Sequence, residues 1–568
     1  VKRVLTALVL FLAAGCASVP RVESLSLDEK IGQLFVVAAH GVFMNEQSPE
    51  YRRLVHQVRD DHAGGVLWFV SDVYETALLT ERLQRAARVP LLISADLEAG
   101  IGMRFENTTY WPPAMAVAAT GDPSLAEAEG RIVATEARAI GINHILAPVV
   151  DVNIDPDNPV INTRSFGEDP ATVARFATAF IRGVQSEGVL ATAKHFPGHG
   201  DTHVDSHRAL PMLDVTRERL DRIELAPFRA AIENKVASVM TGHLAVPAID
   251  DTPAPVRDSA SRTKDTPYGT LDSEVPQSSA LPASLSRKAI EGVLRHDLGF
   301  QGLVVTDAFD MGALVAHFDA GEDAVLAIEA GNDQILKPAD VDAAIAAVRN
   351  AVRGGRIPVS RIDQSVRRIL EAKRRVRRHP SSMREISATI DREEHQQVAR
   401  EIARRAITLV RDEASLLPIR RDARVLVVSV SDFAEVASPV SLVATEIAAR
   451  TTAPPMSMML DARSDAGDAE RVADAARDAD VVLLALAIRT RSGAGHIALP
   501  EAARRLMEML PPEKTIGVSF GSPYVLRDLP ALRTYVCAYG TQPVLQIAAM
   551  RALFAESAMT GQLPVTLH

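Results

Sequence analysis

Between residues 27 and 375 the chain repeats one pattern: a short apolar run ending in polar or glycine residues, then a longer stretch with apolar positions at helical spacing. Eight short runs stand out, at 34–38, 65–69, 91–95, 144–147, 191–194, 238–241, 303–306 and 333–336. Most are rich in Val, Ile and Leu and lack in–out alternation, which suits strands buried on both faces of a parallel sheet. Amphipathic stretches such as 124–138, 171–187, 217–233, 285–297 and 319–330 lie between them. Eight such repeats predict a (β/α)8 barrel. An open doubly wound sheet would give the same local signal, but no G-x-G-x-x-G fingerprint follows an early strand.

Two segments break the rhythm. Residues 251–279 are rich in Pro, Ser, Thr and Asp and read as a long surface insertion after the sixth strand, either a flap near the catalytic face or an excursion without a role. A basic, polar segment around 379–389 reads as a domain junction. Beyond it, 396–410 has the pattern of a helix leading into a strand, and the runs 424–430, 481–488, 515–520 and 534–538 alternate with helical stretches at 466–478, 502–510 and 544–554. The expected layout is a leader and tether (1–20), a barrel (21–378), a linker (379–395) and a smaller α/β domain (396–568).

Composition changes this picture little. With 568 residues, 47% hydrophobic and 24% charged, the chain has ample material for large cores. Its net charge of −10 argues against a nucleic acid partner, since nothing would neutralise phosphates systematically. The first residues are more informative. Lys2 and Arg3 precede an apolar run at 4–14, too short to span a bilayer but suited to a secretory signal. The segment Leu12-Ala13-Ala14-Gly15-Cys16 resembles a bacterial lipobox, so Cys16 is the expected lipidation site. That predicts an exported protein, facing periplasm or exterior, whose membrane contact runs through the N-terminal lipid only. An ordinary signal peptide with an incidental cysteine is the competing reading. Cys537, the other cysteine, lies in an apolar run and is expected to be a buried thiol, with no disulfide.

Function in a barrel gathers where strands end. Asp96 follows the third run, with Arg104 eight residues on; a salt bridge between them competes with a role in the site, and the two are not exclusive. Asp151, Asn153 and Asp155 follow the fourth, with Arg164 in the same loop. Lys194 and His195 close the fifth, Asp205 and His207 lie in the loop after it, and Thr241-Gly242-His243 ends the sixth. Asp307 comes directly after the apolar run Leu303-Val304-Val305 and Thr306; catalysis competes there with helix capping. Four histidines between 195 and 207 first suggest a metal, but the spacing is not H-E-x-x-H. Acid–base chemistry is the alternative: in a turned loop the Asp205 carboxylate can reach the His207 imidazole, and histidine is the side chain most often used for proton transfer. A carboxylate nucleophile with a separate proton donor is what a double-displacement glycosidase requires.

The block Lys194-His195-Phe196-Pro197-Gly198-His199-Gly200, followed by Asp205-Ser206-His207, resembles the signature of the bacterial β-N-acetylglucosaminidase (β-hexosaminidase) branch of glycoside hydrolase family 3. Residues 27–375 resemble the family's catalytic barrel, and residues from about 390 its second α/β domain. The resemblance implies that His207 is the acid/base, that Asp205 orients it, and that Asp307, within Thr306-Asp307-Ala308-Phe309-Asp310-Met311-Gly312-Ala313, is the nucleophile. It implies that Asp96, Arg104, Arg164, Lys194 and His195 hold the non-reducing sugar and its N-acetyl group. One departure is visible: the usual Asp-x-Glu-Gly-Gly-Arg is here Asp96-Leu97-Glu98-Ala99-Gly100-Ile101, without its arginine. The implied activity is retaining hydrolysis of β-linked N-acetylglucosamine from peptidoglycan fragments, by a monomer needing no cofactor and no metal. A phosphorylase, a β-glucosidase and a wall-binding lipoprotein without turnover are the alternatives.

Overall fold

The computed structural model describes residues 19–254 and 280–567, and between them the backbone of a small hairpin, Asp265–Thr266 paired with Gly269–Thr270. Residues 1–18, with the expected lipidation site Cys16, and most of the insertion lie outside the described residues. Eight parallel strands close into a barrel in chain order: β1 (Phe35–Ala39), β2 (Gly65–Trp68), β3 (Leu92–Ala95), β4 (His144–Ile145), β5 (Leu190–Phe196), β6 (Ser238–Thr241), β7 (Leu303–Ala308) and β8 (Gln334–Leu336). β8 returns to β1 through Phe35 opposite Ile335 and Val36 opposite Leu336. All eight fall on the apolar runs. Those runs lack alternation because both faces are covered, by helices outside and by packed side chains inside. β4 is shorter than its run, although hydrogen bonds to both neighbours continue past it, from Leu146 N to Ala95 O at 3.0 Å and from Thr192 N to Ala147 O at 2.9 Å.

The helices between strands carry their own stop and start signals. Asp72, Asp122, Asp169 and Asp340 each accept a backbone N–H in the first turn of the helix that follows. Such caps satisfy amides that have no partner within the helix.

A six-stranded sheet follows, from strands β9 (Thr408–Asp412), β10 (Val425–Ser431), β11 (Met456–Leu460), β12 (Val481–Ala487), β13 (Thr515–Ser519) and β14 (Thr534–Cys537). Its order is β9-β14-β13-β12-β10-β11, with only β9 antiparallel to its neighbour. Cys537 is free and buried within it. The stretch 379–395 is partly helical, with Met383–Thr389 and the start of Glu393–Ala406. The two halves share apolar and polar contacts. Met115, Ala116 and Ala119, on a short barrel helix, belong to the core of the second sheet. His395 Nδ1 lies 2.6 Å from Glu136 Oε1, and Asn153 donates to the Tyr524 hydroxyl at 3.1 Å.

Lys373 is an oddity of the barrel wall. It is fully buried, and its ammonium donates to Gln33 Oε1. Burial pulls its pKa well below the usual lysine value. Between that lowered value and the ordinary one near 10.4 the unfolded chain binds more protons, so this residue makes stability rise with pH. Lys373→Met removes the titrating amine and should flatten that rise, which thermal melts at pH 7 and pH 9 check.

Candidate active site

The C-terminal ends of the strands surround a cavity of about 420 Å³. Leu67, Leu146, Met240 and Leu336, from β2, the end of β4, β6 and β8, are among its apolar lining residues. Asp96, Arg104, Arg164, Lys194, His195, His207 and Asp307 all line it, so loops more than two hundred residues apart in sequence converge there. Asp205 lies behind His207, with its side chain only 1% exposed.

One side of the cavity is a chain of alternating charges. Asp96 accepts from Arg104 Nη2 at 2.9 Å and from Lys194 Nζ at 2.8 Å. Lys194 also reaches Glu98 Oε1 at 2.6 Å, and Arg164 grips the same carboxylate with Nε and Nη2, both at 2.7 Å. Burial opposes ionisation of Asp96, but Lys194 and Arg104 outweigh it and bring its pKa down to about 2. Glu98 is likewise held well below the usual range: burial would raise it, and Arg164 and Lys194 overcome that. Bidentate and charge-assisted bonds of this kind hold the donors in fixed directions, which suits them to sugar hydroxyls. Glu98 stands in the Asp-x-Glu motif, but the sequence alone did not mark it as a site residue.

Lys194→Ala would leave two carboxylates facing each other without their shared cation. The expected cost is about 3–5 kcal/mol. The sign with pH follows from the lowered carboxyl values: the stabilisation from Asp96 and Glu98 is present above their unfolded values near 4 and is lost as pH falls through about 2 for Asp96. In the variant the carboxyls rise and acid unfolding should move to higher pH, followed by fluorescence; an unchanged acid midpoint would count against this network.

The histidines of the 195–207 loop each turn to a different partner. His195 Nδ1 meets Asp151 Oδ2 at 2.7 Å, and Asp151 Oδ1 also accepts the backbone N–H groups of His195 and His199. Asp151, noted from sequence only as a polar strand-end residue, therefore organises the start of this loop. His199 lies between Thr202 and Ser206 hydroxyls at 2.7 and 3.1 Å, and His203 pairs with Asp155 at 2.6 Å. Burial lowers the pKa of His199 to about 4. His207 Nδ1 lies 2.8 Å from Asp205 Oδ1, which also accepts the His207 backbone N–H at 2.9 Å. The turned loop expected from the two-residue spacing is present. Burial would raise the Asp205 pKa, but its bond to His207 and further contacts lower it, so it stays a carboxylate.

Asp307 stands at the end of β7 with its carboxylate in the cavity wall and Oδ1 accepting the Ala308 N–H at 2.8 Å. Burial works against its charge, but the nearby His195, His243 and His207 keep its pKa below the ordinary value. It is an ionised carboxylate inside a largely buried site. The two loops that carry Asp307 and His207 are tied together: Gly312 N donates to His207 O at 3.0 Å, and Ala313 N to Ser206 O at 3.1 Å.

The second domain completes the rim. Thr490, Arg491 and Ser492, just after β12, line the cavity, and Gly493 N donates to Asp205 Oδ2 at 2.8 Å. Arg491 stacks over Phe433 at 3.8 Å from the ring centre and pairs with Glu435 at 2.9 Å. No motif announced these residues.

Residues 26–372 match the family model described as "Glycosyl hydrolase family 3 N terminal domain". A β-N-acetylglucosaminidase/β-glucosidase of Cellulomonas fimi is 32% identical over 559 residues, covering 95% of this chain and 93% of that protein. The solved structure of a family 3 β-N-acetylglucosaminidase from a Paenibacillus species superposes with a TM-score of 0.80 at 32% identity, covering 96% of this chain and 99% of that one. A β-glucoside phosphorylase superposes with a TM-score of 0.83 at 26% identity, covering 96% and 95%. On the extent of the family match, and with the cavity at the open ends of a closed barrel, this chain belongs to glycosyl hydrolase family 3.

Proposed function

We propose that the chain is a retaining exo-β-N-acetylglucosaminidase acting on peptidoglycan fragments or related glycans. The observation that carries the reading is the pairing, in one cavity, of a carboxylate held in its ionised form with an imidazole backed by a second carboxylate. Asp307 attacks the anomeric carbon while His207 gives its proton to the leaving oxygen, forming a glycosyl–enzyme. His207 then takes a proton from the water that releases the sugar, and the β configuration is retained. Asp205 holds the ring and stabilises the imidazolium as it forms. Asp96, Arg104, Arg164, Lys194 and His195 hold the non-reducing sugar through charge-assisted hydrogen bonds. The named activities of the Cellulomonas and Paenibacillus relatives support the same reading. Product analysis on purified peptidoglycan and muropeptides tests it: released N-acetylglucosamine, first formed as the β anomer, is expected, and an α first product would refute retention.

Two observations favour a phosphorylase as the second reading. One is the fold-level match to a β-glucoside phosphorylase. The other is that the proton-transfer residue is an imidazole, which unlike a carboxylate carries no negative charge to repel an incoming phosphate, with Arg491 in the same wall. Turnover with and without inorganic phosphate separates the two. Sugar 1-phosphate as the main product would replace hydrolysis as the function.

A further inference from the structure

A second hollow lies away from the catalytic one. A cavity of about 820 Å³ opens at the other end of the barrel, where Leu190 and Leu303 begin β5 and β7 and Val236 and Ala237 precede β6. Its rim carries five exposed cations, Arg21, Lys235, Arg367, Arg374 and Arg375, and two acids, Glu23 and Glu371. Glu371 is engaged by Arg375 at 3.1 Å and Arg374 at 3.7 Å. No ion pair among the described residues occupies Arg21, Lys235 or Arg367. This concentration of positive charge stands out on a chain whose net charge is −10.

The same end receives the first described residues. Val19 packs on the apolar cluster there, Val22 and Leu25 are buried in it, and Arg374 donates to the Pro20 carbonyl at 2.9 Å. Cys16, the expected lipidation site, is three residues before Val19. Three residues of chain span at most about 11 Å, close to the screening length of about 8–10 Å at physiological ionic strength.

We infer that this basic end of the barrel docks on an anionic phospholipid surface. The charge on this face carries the inference, and acylation of Cys16 would bring the face within range of the headgroups. Because the strands run parallel from this end to the catalytic one, docking turns the cavity with Asp307 away from the bilayer, toward the compartment that holds polymeric substrate. Each exposed cation near an anionic surface strengthens attachment about fivefold, and the attraction is lost as salt rises.

The test uses the chain from residue 16 onward carrying Cys16→Ser, so that no acyl chain contributes. It is sedimented with phosphatidylcholine vesicles and with vesicles containing phosphatidylglycerol. Binding to the anionic vesicles alone is expected, abolished by high salt. The triple variant Arg21→Gln, Lys235→Gln, Arg367→Gln, built at exposed positions outside ion pairs, should bind about 100-fold more weakly with unchanged turnover of a soluble glycoside. Equal retention on neutral vesicles, binding indifferent to salt, or full binding by the triple variant would overturn the inference. So would salt-sensitive capture of soluble polyphosphate with no binding to vesicles, which would give the face to a dissolved polyanion.

Discussion

Asp307→Ala should lower kcat for an activated aryl N-acetylglucosaminide by about 10⁴-fold or more, with an unchanged melting profile. The attacking atom is the one contribution that no neighbour can replace. Burial opposes the charge on Asp307, and the nearby His195, His243 and His207 bring its pKa below the ordinary carboxylate value. Loss of one carboxylate group at the cavity wall removes little packing, so a folding defect is not the expected cause of inactivity. The variant also offers a chemical control. A small anion such as azide can enter the vacated space and attack from the same side, giving the α-glycosyl azide. Rescue with that stereochemistry would confirm the role of Asp307. Retained hydrolysis in the variant would remove it as nucleophile.

The second large effect concerns His207. Its replacement by Ala should reduce turnover of a substrate with a sugar leaving group by about 10²–10⁴-fold, because that oxygen needs a proton to depart. With a good leaving group, such as a dinitrophenolate, the first step needs little acid help while the second still lacks its base. The glycosyl–enzyme should then accumulate, seen as a burst of one equivalent and as a mass increase of one sugar on the protein. An equal loss with both leaving groups and no burst would make His207 a binding residue instead. Asp205 connects this to the second domain. Its one oxygen holds His207 and its other accepts the Gly493 N–H, so the imidazole is positioned by both halves of the chain.

The barrel was readable because its strands are buried on both faces and its helices carry caps and apolar stripes; each signal is local. All eight barrel strands fall on their runs to within a few residues. β11 escaped because an edge strand needs no two-sided burial: Met456-Ser457-Met458-Met459-Leu460 is exposed at its start and carries no Val or Ile. The site residues at strand ends were legible for a geometric reason. A parallel barrel brings every such end to one rim, so placement follows from topology.

Sequence alone determined the (β/α)8 architecture, the second α/β sheet and the polar residues that strand ends deliver to one face, because burial and hydrogen-bonding needs act over a few neighbouring residues. Only the tertiary structure decided that Glu98 is shared by Arg164 and Lys194, that Asp151 anchors the histidine loop, and that Gly493 and Arg491 reach across from the second domain. Those contacts join residues tens to hundreds of positions apart through side-chain directions and a domain interface. No periodicity encodes them.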